Sequence, residues 1–460
     1  MKQKDKRYAF HAISFILICV LVCSSPTLLQ AYNYLDVDIN TQEPIGWEPG
    51  SVIEYYLDPG DFGYLSNNEA HALLKEAMKI WQNAEYADVP KFEFAGYLPE
   101  DVNINNYQEY FANERCYTYD LRSCKTELQK NFQTAIIFDQ GNEILYSKIC
   151  SNGACHASAA PKVFEGTLSY PKFIRQGTAV FGESLLSGET SQAVAVFVHE
   201  LGHLLGLSHS ALNQQLYESK PSFMENTYSF LPIMHTGQAL LRTFLHPDDI
   251  AAISTLYPSN DFFSQTGTIK GKVLKADMSP MTHVNVIARN VDNPWCKAYS
   301  YMSGRSCLLM ATSLCEENGY ANGDFMIEGL TPGFYTIEVE AIADASYASR
   351  LSPGLIKAYL AGDAEFWNEN DVANEDPLVY SEIELSAAEV RDDIVIVLND
   401  VESNEDQLEM IPVDFIDVFQ DSQCPDSTID YDELIGIERP GSSPTAYSAS
   451  AGGCSLINSY

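Results

Sequence analysis

The chain has 460 residues, 46% of them hydrophobic and 12% aromatic, which is enough to core two or three domains and too apolar for a disordered chain. Its formal net charge is −36, from 63 acidic against 27 basic residues. A surface of that sign argues against a nucleic-acid partner, because phosphate binding needs positive charge.

From the N-terminus, Lys2, Lys4, Lys6 and Arg7 precede an apolar segment, Ala12 to Cys23. Twelve apolar residues are too few to span a bilayer as a helix, so residues 1–31 read as a cleaved secretory signal, cut after Ala31. A lipoprotein anchor at Cys23 is the weaker reading, because bulky Val22 precedes it. No other stretch is long and apolar enough to cross a membrane, so a secreted or cell-surface protein is expected. Of the eleven cysteines, nine lie beyond the signal, which leaves at least one thiol over; Cys454 stands alone in a Gly/Ser-rich tail. In an exported protein, Cys116/Cys124 and Cys150/Cys155 read as local disulfides, with a metal site at Cys150, Cys155 and His156 as the less favoured alternative.

Ser51 to Leu57 is rich in β-branched and aromatic residues and predicts a strand. Ser66 and Glu69 form a capping box opening a helix through Asn83, with Leu73, Leu74, Ala77, Met78, Ile80 and Trp81 on its apolar side. Residues 100–132 are polar and carry Cys116 and Cys124, as a stapled insertion would. Thr134–Phe138, Gly166–Pro171 and Thr178–Phe181 read as further strands, and Ser191–Leu205 as a helix apolar nearly all round. Strands with helices in this order predict an α/β (α+β) domain with a mixed sheet.

That last helix carries His199-Glu200-Leu201-Gly202-His203, followed by Gly206 and His209. His199 and His203 lie one turn apart on one face, a spacing that suits two nitrogen ligands of a small tetrahedral ion. Glu200 can reach a water in the ion's open position as general base without being a ligand. Gly206 lets the helix stop and turn, bringing His209 round as third ligand. Met234 follows twenty-five residues later, and Leu245-His246-Pro247-Asp248-Asp249 opens a helix through Tyr257, with proline at its start and two carboxylates at its positive end.

His199 to Ser210, Pro232-Ile233-Met234-His235 and the closing run Leu245 to Tyr257 together resemble the matrixin branch of the metzincin metallopeptidases. The helix ending Ala77-Met78-Lys79-Ile80-Trp81 is similar to that family's first helix. The resemblance covers about 45–260 and implies zinc bound by His199, His203 and His209, with Glu200 as general base and acid. It also implies Met234 as the turn beneath the metal, Gly206 as the structural turn residue, and protein or peptide substrates; structural calcium is compatible with it. Three departures stand out. Thr236 occupies the place where astacin- and serralysin-like members carry a tyrosine ligand. No cysteine lies between Ala31 and Trp47 to act as a latch. Residues 100–165 align with nothing in the family.

Beyond residue 260 the pattern turns to alternating strands. Gly323 to Tyr335 is similar to the carboxypeptidase regulatory-like (transthyretin-like) β-sandwich family, and Ile383–Leu385 and Ile394–Leu398 supply closing strands. Residues 401–460 are strongly acidic and predict a disordered tail; Gly452-Gly453-Cys454-Ser455 faintly resembles cysteine-containing bacterial surface-sorting tails. The expected organisation is a signal at 1–31, a zinc metallopeptidase domain at 32–260, an all-β sandwich at 264–400 and the tail at 401–460. The expected function is a secreted zinc endopeptidase. The alternative is a surface binding or adhesion protein that uses the sandwich, with an idle or structural metal site; the retained Glu200 speaks against it.

Overall fold

The computed structural model describes residues 34–35, 38, 43–111, 132–149, 155–164, 172–187, 190–214, 230–235, 243–282, 284–304, 322–340, 365–399 and 431–436. The expected strand at 166–171, Thr236 and the cysteines at 116, 124, 150, 307, 315, 424 and 454 lie outside these.

The first half is a mixed sheet backed by two helices. Strand β1 (Val52–Leu57) alternates as its sequence predicts, burying Ile53, Tyr55 and Leu57. Helix α1 (Asn67–Gln82) begins where the capping box places it, with the Glu69 carboxylate accepting from the Ser66 backbone N–H at 2.7 Å. It buries Leu73, Leu74, Ala77, Met78 and Trp81. Strands β2 (Lys91–Tyr97), β3 (Thr134–Asp139), β4 (Ala157–Phe164) and β5 (Phe173–Gly182) complete the sheet in the order β2-β1-β3-β5-β4. All neighbours run parallel except β4, which pairs antiparallel with β5. The central β3 is buried along its whole length. Helix α2 (Thr190–Leu205) packs against α1, β4 and β5 and is buried continuously from Ala193. Helix α3 (Pro247–Leu256) starts at its proline, with Asp249 accepting from the His246 N–H at 2.8 Å, and α4 (Phe262–Gln265) leads onward.

The second half is all β. Its strands are β6 (Gly267–Leu274), β7 (Asn285–Asn290), β8 (Ala298–Met302), β9 (Asp324–Leu330), β10 (Gly333–Glu340), β11 (Glu365–Phe366), β12 (Ile383–Leu385) and β13 (Val390–Val397). They form two sheets, β11-β10-β7-β8 with β12 also on β10, and β13-β6-β9. All pairs are antiparallel except β13 with β6. Apolar residues of both sheets join those of the first half in one continuous core. The two halves meet so closely at Gly329 (φ +71°) that a Cβ there would lie 2.9 Å from the Ala251 methyl.

Of the stretch 401–460, expected to be a disordered tail, only residues 431–436 are described; they form a short helix α5 (Tyr431–Ile435) whose Tyr431 is 3% exposed and whose Ile435 packs against the core beside α1 and α2. Tyr431, Leu434 and Ile435 place apolar groups one turn apart within an acidic background. A net-charge argument over sixty residues averages that local pattern away.

Candidate metal centre

An apolar helix buried on every side should contain no polar side chain without a partner. Helix α2 nevertheless buries His199, Glu200 and His203, exposed by 0, 0 and 1%. The helix stops at Gly206, whose φ of +109° is open to glycine; a Cβ would also lie 2.8 Å from the Ile45 carbonyl. The reversal carries His209 back against the helix, with its ring centroid 5.3 Å from that of His199 and 4.7 Å from that of His203. One ring nitrogen from each of the three lies within 4.8 Å of the others.

The rings are oriented as well as gathered. His199 Nδ1 donates to the Ile233 carbonyl at 2.6 Å, and His203 Nδ1 donates to the Leu207 carbonyl at 2.8 Å. A carbonyl only accepts, so the proton sits on Nδ1 and the Nε2 lone pair is left to point elsewhere. Both Nε2 atoms are buried and have no hydrogen-bond partner. Burial pushes His199 down to about 4, against the opposing pull of the Ile233 carbonyl. Burial, with His199 nearby, pushes His203 down to about 3. Neutral imidazoles with orphaned, converging nitrogens are what a transition-metal ion requires, so the residues fit one.

Met234 lies directly under the helix. A Cβ on Gly202 would come within 2.4 Å of its sulfur and 2.8 Å of Trp81 Cζ2, so glycine is what admits both side chains. Trp81 Nε1 donates to the Val198 carbonyl at 2.7 Å. Asp249 accepts from the Ile233 and Met234 N–H groups at 2.8 and 3.1 Å, pinning the methionine turn to the start of α3. The open carbonyls at the end of α2 are also taken up: Trp47 Nε1 donates to Leu204 O at 2.8 Å and the Tyr257 hydroxyl to Leu205 O at 2.6 Å.

The structure thus brings together His199, His203, His209 and Glu200 with Gly206 and Met234, the residues that the motif singles out. The motif does not reveal Gly202, Trp47, or the hydrogen bonds that Asp249 and Tyr257 make. It also leaves out His235, which burial and the neighbouring His199 push down to about 3 and which lies outside the three-histidine cluster. Adjacent aspartates after His246-Pro247 are the one local signal that could have pointed to the turn. The alternative metal site at Cys155 and His156 does not form, since Cys155 is disulfide-bonded and His156 Nδ1 pairs with Ser184 Oγ at 2.9 Å.

With this geometry in place, comparison with known proteins is informative for the first half. Residues 46–258 match the Matrixin peptidase family model. The matrixin match points to a metallopeptidase, and matrixins are zinc enzymes. The chain is also similar to a crystal structure of myroilysin, with 19% identity over 46% of this chain and 86% of that one, at a TM-score of 0.23. A second myroilysin structure is 20% identical over 47% and 96% of the two chains, at a TM-score of 0.24. No curated protein matches the chain.

Proposed function

We propose that the chain is an exported zinc-dependent endopeptidase in which His199, His203 and His209 hold the ion. The observation that carries this reading is the set of three buried imidazoles gathered beside a buried glutamate. When bound, zinc supplies polarisation of a peptide carbonyl and acidification of water, towards a pKa of about 7. Glu200, adjacent to His199 on α2, takes the proton of the attacking water and passes it to the leaving amine. The Nδ1 bonds to Ile233 and Leu207 hold two imidazoles in the tautomer that leaves Nε2 free for the ion. Export rests on the basic and apolar N-terminal segment. Among the described residues, no helix is long and apolar enough to cross a membrane.

All four polar side chains of the site are buried, so cleavage is measured with the chain both intact and nicked. The test therefore uses the full chain before and after limited proteolysis, incubated with a broad peptide library and read by mass spectrometry, with and without chelator. Chelator-sensitive cuts at defined bonds are expected, faster after nicking. Zinc-bound protein that leaves the library uncut in both forms would favour the binding-protein alternative.

A further inference from the structure

The loop that follows the third imidazole is held from two sides. Ser210, Ala211, Leu212, Asn213 and Gln214 are all buried. From the matrixin half, Met234 O accepts from the Ser210 N–H at 2.9 Å, and Asp248 Oδ2 accepts from Ser210 Oγ at 2.6 Å. The other contacts come from the β half. The Ser300 N–H of β8 donates to Asp248 Oδ1 at 2.7 Å, so one carboxylate bridges Ser210 to that strand. Asn285 Nδ2 of β7 donates to the Ala211 carbonyl at 3.1 Å, and Arg289 Nη1 donates to Asn213 Oδ1 at 2.7 Å. Leu212 forms a small apolar cluster with Ile287 and Ala298 of the same two strands.

Arg289 is the costly element of this contact. Its guanidinium is 3% exposed, lies 2.6 Å from Glu338 of β10, and sits 4.6 Å from the centre of the Trp295 ring. Burying such a pair is at best neutral for stability compared with apolar residues of the same volume. What the guanidinium adds here is reach: one rigid fork bonds Glu338, Asn213 Oδ1 and the Pro294 carbonyl together. Asn213 itself has φ of +58° and donates through Nδ2 to the Phe230 carbonyl at 2.7 Å, so the clasp fixes a turn that does not hold itself extended.

We infer that the β-sheet half is part of the metal centre's scaffold: Arg289, Asn285 and the Ser300 backbone are positioning groups that hold the loop presenting His209. This rests on the metallopeptidase reading above. It places the functional unit across both halves, beyond residue 258 where the matrixin match ends.

The test compares full-length variants by zinc affinity in chelator competition, by the absorption spectrum of the cobalt(II)-loaded protein, and by kcat and KM on a quenched peptide. Arg289→Lys keeps a charge opposite Glu338, but a single ammonium cannot span all three partners. Arg289→Met with Glu338→Leu removes the pair at similar volume, and if that double variant does not fold, Arg289→Lys carries the measurement. Ile396→Ala, at a fully buried position of β13, is the control that loosens the same half in its other sheet. Zinc binding about tenfold weaker and an altered cobalt spectrum are expected for the Arg289 variants while near-ultraviolet circular dichroism shows folded protein. Ile396→Ala, melting as low or lower, is expected to bind zinc as wild type does. Wild-type zinc affinity in the Arg289 variants overturns the inference, as does affinity that falls in step with melting temperature in all variants, the control included. A wild-type chain that binds no zinc overturns the metallopeptidase reading itself, and the inference with it.

Discussion

Single atoms decide much of the metal centre. Gly202 has no Cβ, and the space a Cβ would need is taken by the Met234 sulfur and the Trp81 ring. Both neighbours are buried, so neither can swing into solvent. Gly202→Ala is expected to lower stability by about 1–3 kcal/mol through overpacking, and to weaken zinc binding as Met234 is displaced. Thermal melts and zinc titrations check this; a variant matching wild type in both would mean that the methionine turn shifts freely. Glu328 shows a different residue-scale effect. Burial pushes its carboxyl up to about 7 from an ordinary 4.5. The folded chain therefore keeps a proton that the unfolded chain releases near 4.5, and this contribution to stability is lost as pH rises from there through about 7. Glu328→Gln is neutral throughout and lacks that loss. Urea melts at pH 5 and pH 8 are expected to show the variant gaining on wild type at the higher pH, and parallel profiles would contradict it.

At the scale of elements, α2 is legible in the sequence because its histidine cluster is set by a spacing of four and a turn at glycine, both local. Helix α1 is legible for the same reason, through Ser66, Glu69 and the period of its apolar positions. The strands β2 and β4 are not. Lys91–Tyr97 lies at a sheet edge with most of its side chains exposed, so it carries no clean alternation. Ala157–Phe164 is built from small residues around Pro161, tolerable on an edge strand but poor as a signal. The caps of α2 are equally hidden, because Trp47 is 157 positions from Leu204. Tyr257→Phe removes the hydroxyl that donates to Leu205 O and accepts from Trp47 N–H at 2.9 Å. It is expected to cost about 1–3 kcal/mol in denaturant melts with zinc stoichiometry unchanged. Helix α5 makes a parallel case. Tyr431, 3% exposed, is packed against the core, so Tyr431→Ala is expected to lower stability by about 3–5 kcal/mol, in the range for buried aromatic truncation. A freely disordered tail would show no change.

At the scale of the whole molecule, one continuous core links residues from Tyr34 to Tyr431, so the all-β half is not a bead on a linker. The sequence divides the chain at about residue 260 because its hydrophobic period changes there, from helical to alternating. That change marks a boundary between kinds of element, while side-chain contacts such as Ser300 with Asp248 and Arg289 with Asn213 cross it. Contacts made 52 and 76 positions apart leave no trace in local spacing. The charge of −36 spreads over the whole chain and leaves the metal centre, which is buried, to its own local chemistry.

The central claim is that Glu200 moves the proton in a zinc-dependent peptide cleavage, and Glu200→Gln tests it most directly in the zinc-loaded full chain, intact and nicked. The variant is expected to keep one zinc per chain and to lose peptide hydrolysis by a factor on the order of 10²–10⁴. Cleavage by the variant at the wild-type rate, with zinc retained, would contradict the account.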